Sequence, residues 1–338
     1  MKPASVLEVA AQLGLSQSDL AQVSAALSHA NRLKSVGNFV LSLLFPHSTL
    51  RPGDEKYTAV QQVNWSTRAW LPAALTFLSS SAEEVAKGLN VLTFFSIDFA
   101  VRGGGHASFP CASSSDGGVL LSLQRFNSFS LSVDKKVVSF GAGSRWNDVY
   151  GFLKPFDLAT IGGRIPTVGV SGLITGGGNP FYSGSHGMAC AQVKSFEVVL
   201  ADDSIVIGSA DEHPKLFKAL KGGSNNFGIV TRFDMYTIHG ADGIWGGVMT
   251  YSSDKYGAVV DALLNSENNK QPLDPKAALV PLFCWGDDGK QQMYAFHQDT
   301  ENPESLAAFK ELGPSMDTTK KTALKDMVWL RMIRLEGR

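Results

Sequence analysis

Three glycine-rich clusters, each set at the end of a short apolar run, constrain this chain more than any other feature. Val101 to Phe109 reads VRGGGHASF, Gly162 to Gly178 reads GGRIPTVGVSGLITGGG, and Gly222 to Gly228 reads GGSNNFG, with a smaller Gly141-Ala142-Gly143 turn between the first two. Glycines in a row carry no Cβ, so the backbone can take positive φ and a large flat ligand can come close to the amides. Bare successive N–H groups in such a bend also make a concavity suited to phosphate. Taken alone, GGGH is equally compatible with a flexible surface loop and an incidental His106; the other clusters favour the ligand reading.

Charge and cysteine usage narrow the ligand. Of 338 residues, 30 are Lys or Arg and 31 are Asp or Glu, a formal net charge of -1. That balance carries no electrostatic footprint for nucleic acid or an anionic membrane, and it favours small-molecule chemistry. Cys111, Cys190 and Cys284 are far apart and odd in number, which excludes a dense disulfide framework and any CxxC metal or redox motif. The first 22 residues, MKPASVLEVAAQLGLSQSDLAQ, have polar residues among the apolar ones, so no signal-peptide core is expected and a cytoplasmic location is the default, unless the true N-terminus is missing. No apolar run approaches the roughly 20 residues of a membrane span.

Periodicity supplies a coarse order of elements. Ser16 and Asp19 form a candidate capping box for a helix carrying Leu20, Val23 and Leu27, whereas Val40 to Phe45, ending at Pro46, reads as a buried turn or strand. A strand over Ala74 to Leu78, a helix capped by Ser81 with Glu84, and a strand at Phe99 to Val101 make a unit whose glycine bend opens at the carboxyl end of its second strand, where ligands of α/β sheets usually sit. Further strands are expected at Val119 to Leu123, Ser130 to Val133, Val137 to Phe140, Phe196 to Leu200, Ile205 to Ile207 and Ile229 to Tyr236, with a short helix from Trp146. Trp146 reads as core, and Val168 to Thr175 as a short helix whose N–H groups face a ligand. Beyond Gly240, strands at Ile244 to Tyr251, Ala278 to Trp285 and Gln292 to His297 alternate with helices, an α+β segment ending in an amphipathic LKDMVWLRMIRLEGR with nothing after it to pack against. Trp245, Phe283 and Trp285 could line a pocket or fill a core.

Nucleotide motifs with simpler signatures are missing. No Gly-x-Gly-x-x-Gly occurs, Lys221-Gly222 runs in the wrong order for a P-loop, and Gly169 to Gly172 matches a serine-nucleophile elbow only in part. No paired histidines at helical spacing suggest a metal.

Five blocks in order, FAVRGGGHASF, VVSFGAGSRWNDVY, GGRIPTVGVSGLITGGG, FEVVLAD and LFKALKGGSNNFGIVTRF, together resemble the FAD-linked oxidases of the vanillyl-alcohol oxidase and p-cresol methylhydroxylase class, in particular the berberine-bridge-enzyme-like group of fungi. The resemblance implies an α+β fold: an N-terminal helical segment over 1–55, a two-part FAD-binding domain over 56–238 (parts about 56–123 and 126–237), and an incomplete substrate domain over 239–338. It implies that His106 is joined covalently to the 8α-methyl carbon of FAD. Arg102, Gly103, Gly104, Gly105 and Ala107 would surround the diphosphate. Pro166, Thr167, Val168, Gly169, Gly172, Gly176, Gly177 and Gly178 would supply further amides, and Gly228 and Ile229 the adenine side. Some members add a second bond through a cysteine before the Pro-Thr pair; Ile165 stands there, so one bond is expected, and Cys111 reads as an ordinary thiol. Val168 leans towards reoxidation by O2 with release of hydrogen peroxide.

The implied activity is oxidation of a small alcohol, sugar or secondary-metabolite intermediate by hydride transfer to flavin N5. The sequence leaves the substrate and the catalytic base unknown. The chain departs from the family at Ser185-His186, where Arg-Tyr is usual, and at Ala191-Gln192-Val193, where Asp-Asn-Val is usual; His186 is expected to be a surface residue. Family members are longer and return a Tyr-x-Asn segment to the FAD domain, so the chain is expected to be C-terminally truncated, with a flavin-binding remnant without turnover as the alternative.

Overall fold

A computed structural model describes residues 3–29, 33–240, 243–266, 274–283, 291–299 and 301–330. Three sheets follow one another along the chain. The first contains β1 (Thr49–Leu50), β2 (Leu75–Leu78), β3 (Phe99–Arg102) and β4 (Val119–Ser122), in the order β1-β2-β4-β3. Strands β2 and β3 both run parallel to β4, with Leu78, Ser122 and Arg102 level at their carboxyl ends. All four residues of β2 and of β4 are buried, the uninterrupted pattern expected of parallel strands covered on both faces.

Helix Ala82–Phe94 connects β2 to β3 and buries Val85, Leu89, Val91 and Leu92. Its start is as expected at Ser81, whose hydroxyl accepts the Glu84 N–H at 3.2 Å; the Glu84 carboxylate turns instead to the Ser80 N–H at 2.7 Å. The Ser16 box is reciprocal: Asp19 N–H donates to Ser16 Oγ and Ser16 N–H to the Asp19 carboxylate, opening helix Gln17–His29. Val40 to Phe45 is not a strand or turn. It is the end of helix Leu33–Leu44, whose Val36, Gly37, Val40 and Leu41 recur at helical spacing and are buried. A window starting at Val40 holds only one turn of that repeat, too little to show its period.

The second sheet contains β5 (Phe129–Leu131), β6 (Val137–Gly141), β7 (Leu158–Thr160), β8 (Val193–Val199), β9 (Ile205–Ser209) and β10 (Ile229–His239). Its order is β5-β6-β10-β8-β9, with β7 pairing the far end of β10. Both expected hairpins, β5–β6 and β8–β9, are antiparallel. Phe140, Phe196 and Phe233 pack together on the inner face beside Trp146, which is fully buried as expected. Gly162 and Gly163 lie flat against the Trp146 indole, so a Cβ on either would come within 1.9 and 2.3 Å of it. Their part of the second glycine cluster thus serves packing.

The third sheet contains β11 (Ile244–Tyr251), β12 (Ala277–Phe283), β13 (Gln291–His297), β14 (Met316–Asp317) and β15 (Lys320–Thr322), in the order β12-β13-β11-β14 with β15 also on β11. Trp245 is 2 % exposed in the core of this sheet, which decides its role against a pocket. The Phe283 side chain and Trp285 lie outside the described residues. The last described helix, Leu324–Leu330, packs back onto earlier elements: Leu324, Met327 and Val328 are buried in the main core beside helix Trp146–Leu153, and Lys154 pairs with Asp326 at 3.2 Å. Among the described residues no helix is long and apolar enough to cross a membrane.

Candidate functional site

The carboxyl ends of β2, β4 and β3 open onto the bend Gly103-Gly104-Gly105. This bend meets the Pro166–Gly169 turn backbone to backbone: a Cβ built on Gly104 lies 2.4 Å from both the Cα and the N of Gly169, and one built on Gly169 lies 2.5 Å from the same atoms of Gly104. Gly103 rests on the carbonyl of Ala142, and Gly105, at φ +71, on the side chain of Asn64. The Pro166–Gly169 turn is fixed in its own right. Trp146 N–H donates to Val168 O, Asn147 N–H to Pro166 O, and Val170 N–H to Ser144 O. Chain segments around 64, 103, 142 and 169 therefore form one cluster.

Gly176 to Gly178 and Gly228-Ile229 stand one tier away. Gly177 and Gly178 take positive φ and accept the N–H groups of Cys190 and Ala189, while Ile229 pairs with Val199 on β8. Their tie to the cluster runs through helix Val170–Thr175, whose last residue accepts the Ser224 N–H at 2.9 Å. That helix starts at Val170 rather than Val168, because Val168 closes the preceding turn. Its N-cap, Gly169, has no side chain to cap the first-turn amides.

At the centre, the Nε2 of His106 is 3.0 Å from the Thr167 hydroxyl, and its ring lies parallel to the indole of Trp65, centroids 5.8 Å apart and planes 14° apart. The Nδ1 atom has no hydrogen-bond partner among the described residues. Burial, and secondarily the charge of Arg145, holds the His106 pKa below its ordinary 6.5. The ring is therefore neutral at pH 7, with a lone pair on one nitrogen. Arg145 itself is half-buried, donates to the carbonyl of Thr167, and has its backbone N–H bonded to Asp148.

Arg102 is the least ordinary residue in the cluster. Its side chain is 1 % exposed, its Nη1 donates to Asn64 Oδ1 at 3.3 Å, and its Nη2 has no partner among the described residues. Burial and the neighbouring Arg145 pull its pKa down to about 10, still well above neutrality. A buried guanidinium with no carboxylate beside it is costly unless an anion completes it. Ser144 Oγ and Ser79 Oγ, at the 141–145 turn and the carboxyl end of β2, are likewise buried without partners. Gly172, by contrast, is exposed and a Cβ there meets nothing within 4 Å. Unpaired buried donors beside the glycine bends fit an elongated, anionic ligand such as FAD.

Four of these residues were not legible in the sequence: Asn64, Trp65, Ser144 and Arg145. Arg145 adjoins a Gly-x-Gly turn, which is a usable signal. Asn64 and Trp65 lie in a segment with neither glycine nor periodicity, yet Trp65 N–H bonds Gly105 O at 2.9 Å and Asn64 also bonds Ser113 at 3.2 Å. His186 is half-buried rather than a plain surface residue, with its Nδ1 2.8 Å from Ser185 Oγ. Cys111 is exposed and free, and Cys284 lies outside the described residues.

Comparison with known proteins agrees with this geometry. Residues 73–209 match the model of a family described as an FAD binding domain. An FAD-dependent monooxygenase of Arthrobotrys oligospora is 40% identical over 245 residues, covering 72% of this chain and 47% of that protein. The FAD-dependent monooxygenase prx3 of Penicillium roqueforti is 36% identical over 278 residues, 80% of this chain and 54% of that protein. The chain thus spans about half the length of the curated relatives it matches. The solved 6-hydroxy-D-nicotine oxidase of Arthrobacter nicotinovorans superposes with a TM-score of 0.78 at 23% identity, over 86% of this chain and 65% of that one, a likeness of fold. Family match and relatives show that the chain carries an FAD-binding domain of the p-cresol methylhydroxylase type, and solved vanillyl-alcohol-oxidase-type and berberine-bridge-like proteins share its fold.

Proposed function

We propose that this chain is the flavin-binding part of an FAD-linked oxidoreductase that oxidises a small organic substrate with O2 as the final electron acceptor, and that FAD is tethered through His106. The observation that carries this reading is the backbone contact between Gly104 and Gly169, which joins the bend bearing His106 to the turn bearing Thr167 and brings the imidazole within 3.0 Å of the Thr167 hydroxyl. When bound, FAD supplies a two-electron acceptor for a substrate hydride at its N5, and O2 restores it with release of hydrogen peroxide.

The chain's own residues have separable tasks. Arg102, with the amides of Gly103, Gly104, Gly105 and Ala107, holds the diphosphate by charge and hydrogen bonds. Thr167, Val168 and Gly169 carry the flavin ring edge, with Pro166 fixing their turn. Gly172 and Gly176 to Gly178 leave room beside helix Val170–Thr175, and Gly228 and Ile229 receive the adenine end. Thr167 keeps the proton of His106 on Nε2, so the lone pair is on Nδ1. Tethering would supply an N–C bond in place of one imidazole N–H and one methyl C–H, with the two electrons released going to O2 as hydrogen peroxide. The names of the relatives, FAD-dependent monooxygenases, support chemistry in which flavin and O2 meet.

The test is colour. Wild-type protein precipitated by acid is expected to stay yellow, while His106→Ala binds FAD but releases it to the supernatant. Equal release from both would remove the tether. The pH dependence has a defined sign: because the folded His106 pKa is below 6.5, protonation of the ring is deferred to lower pH. Attachment of added FAD is therefore expected to slow on acidification with an inflection below 6.5. Arg145→Leu moves the inflection up towards the ordinary value, though only in part, since burial is the larger cause. An inflection at or above 6.5 in the wild type would contradict the assignment.

A further inference from the structure

Trp65 is two-thirds exposed, at 67%, unusual for an indole on a well-ordered segment. Its backbone is clamped to the glycine bend by the Trp65 N–H to Gly105 O bond. The preceding Asn64 is buried and bonds Arg102, Ser113 and the Trp70 indole N–H. Among the described residues the ring has one aromatic partner, the imidazole of His106, and the two planes are nearly parallel.

Thr167 and Trp65 constrain the imidazole in different ways. A hydrogen bond at Nε2 fixes a point and leaves the ring free to turn about it. A stacked indole fixes a plane. Attack by Nδ1 requires its lone pair, which lies in the ring plane, to point at the carbon being joined. We propose that Trp65 is a positioning residue for flavin attachment, setting the plane of His106 so that Nδ1 faces the 8α-carbon of FAD. This rests on the reading of His106 as the tether. The step it assists is the N–C bond formation described above, in which one N–H and one C–H are lost and O2 is reduced to hydrogen peroxide.

The experiment uses the full chain prepared free of flavin, with FAD as the probe, and measures FAD retained after acid precipitation against time at several FAD concentrations. Trp65→Ala is expected to lower the maximal attachment rate by about 10-fold to 100-fold, the scale on which misaligned reactants lose rate. The FAD concentration giving half that rate should stay within about 3-fold of wild type, since only orientation has changed. Trp65→Phe, which restores a flat ring, should recover most of the rate, whereas Trp65→Leu, similar in apolar character but without a ring face, should not. Leucine also serves if the alanine variant fails to fold.

Attachment at the wild-type rate in either the alanine or the leucine variant overturns the inference. So does a loss confined to the half-saturating FAD concentration, which would make Trp65 a binding residue. A wild-type chain that binds FAD but never attaches it removes the tether and this role together, while an attached wild type with an undiminished Trp65→Leu removes the positioning role alone.

Discussion

Gly104→Ala is expected to destroy the site and to lower the melting temperature sharply. The added Cβ would lie 2.4 Å from the Cα and N of Gly169, and both are backbone atoms with no rotamer to yield. Overpacking against side chains costs about 1 to 3 kcal/mol, and a clash between two backbones belongs at or above the top of that range. At about 2 to 4 °C per kcal/mol, the fall in melting temperature is about 6 to 12 °C, with loss of bound flavin. Gly169→Ala should behave the same way, since its Cβ meets Gly104 at 2.5 Å. The control is Gly172→Ala: nothing lies within 4 Å, the residue is helical, and alanine there is neutral or stabilising by about 0.5 to 1 kcal/mol. If Gly172→Ala weakens FAD binding while leaving the melting temperature intact, the open space beside it is the ligand's. A Gly104→Ala protein that melts and holds flavin like wild type would show that the two bends are not in contact.

The second large effect separates stability from binding. Arg102→Met keeps the aliphatic stem and removes a buried cation whose Nη2 has no partner and whose Nη1 has only a 3.3 Å bond to Asn64. Replacing an uncompensated buried charge by an apolar side chain of similar length is neutral or stabilising by about 1 kcal/mol or more, so the flavin-free protein should melt no lower than wild type. Binding should respond in the opposite sense. Removing one partner of a buried charge contact costs about 2 to 5 kcal/mol, which corresponds to roughly 30-fold to several thousand-fold in the FAD dissociation constant. Calorimetric titration with FAD and thermal melts of the flavin-free protein measure the two halves. Unchanged affinity would mean that the guanidinium faces something other than the diphosphate.

The order of elements was largely legible because it depends on local pattern. The Ser16 and Ser81 caps, the alternating strands β5, β6, β8 and β9, and the burial of Trp146 each follow from a few adjacent residues. Contacts between distant segments were legible only where glycine marks them. Gly104 and Gly169 announce a close approach; Asn64 and Trp65 take part in the same cluster with nothing in their own neighbourhood to signal it. Glycine also misleads when its reason is packing: Gly162 and Gly163 belong to the second cluster by sequence but make room for Trp146. The final helix shows the same limit, since an amphipathic stretch shows that it has a partner without saying where. The partner of Leu324, Met327 and Val328 is a helix almost two hundred residues earlier in the chain.

That long-range seal bears on how the protein is made. Helix Trp146–Leu153 begins at the residue after Arg145 and packs against helix Leu324–Leu330, so a nascent chain can complete the surroundings of that helix only once residues near position 328 have been made. Loops closed over such separations form late in folding. The part of the fold that follows Arg145 is accordingly finished only once residues far along the chain have folded back onto it.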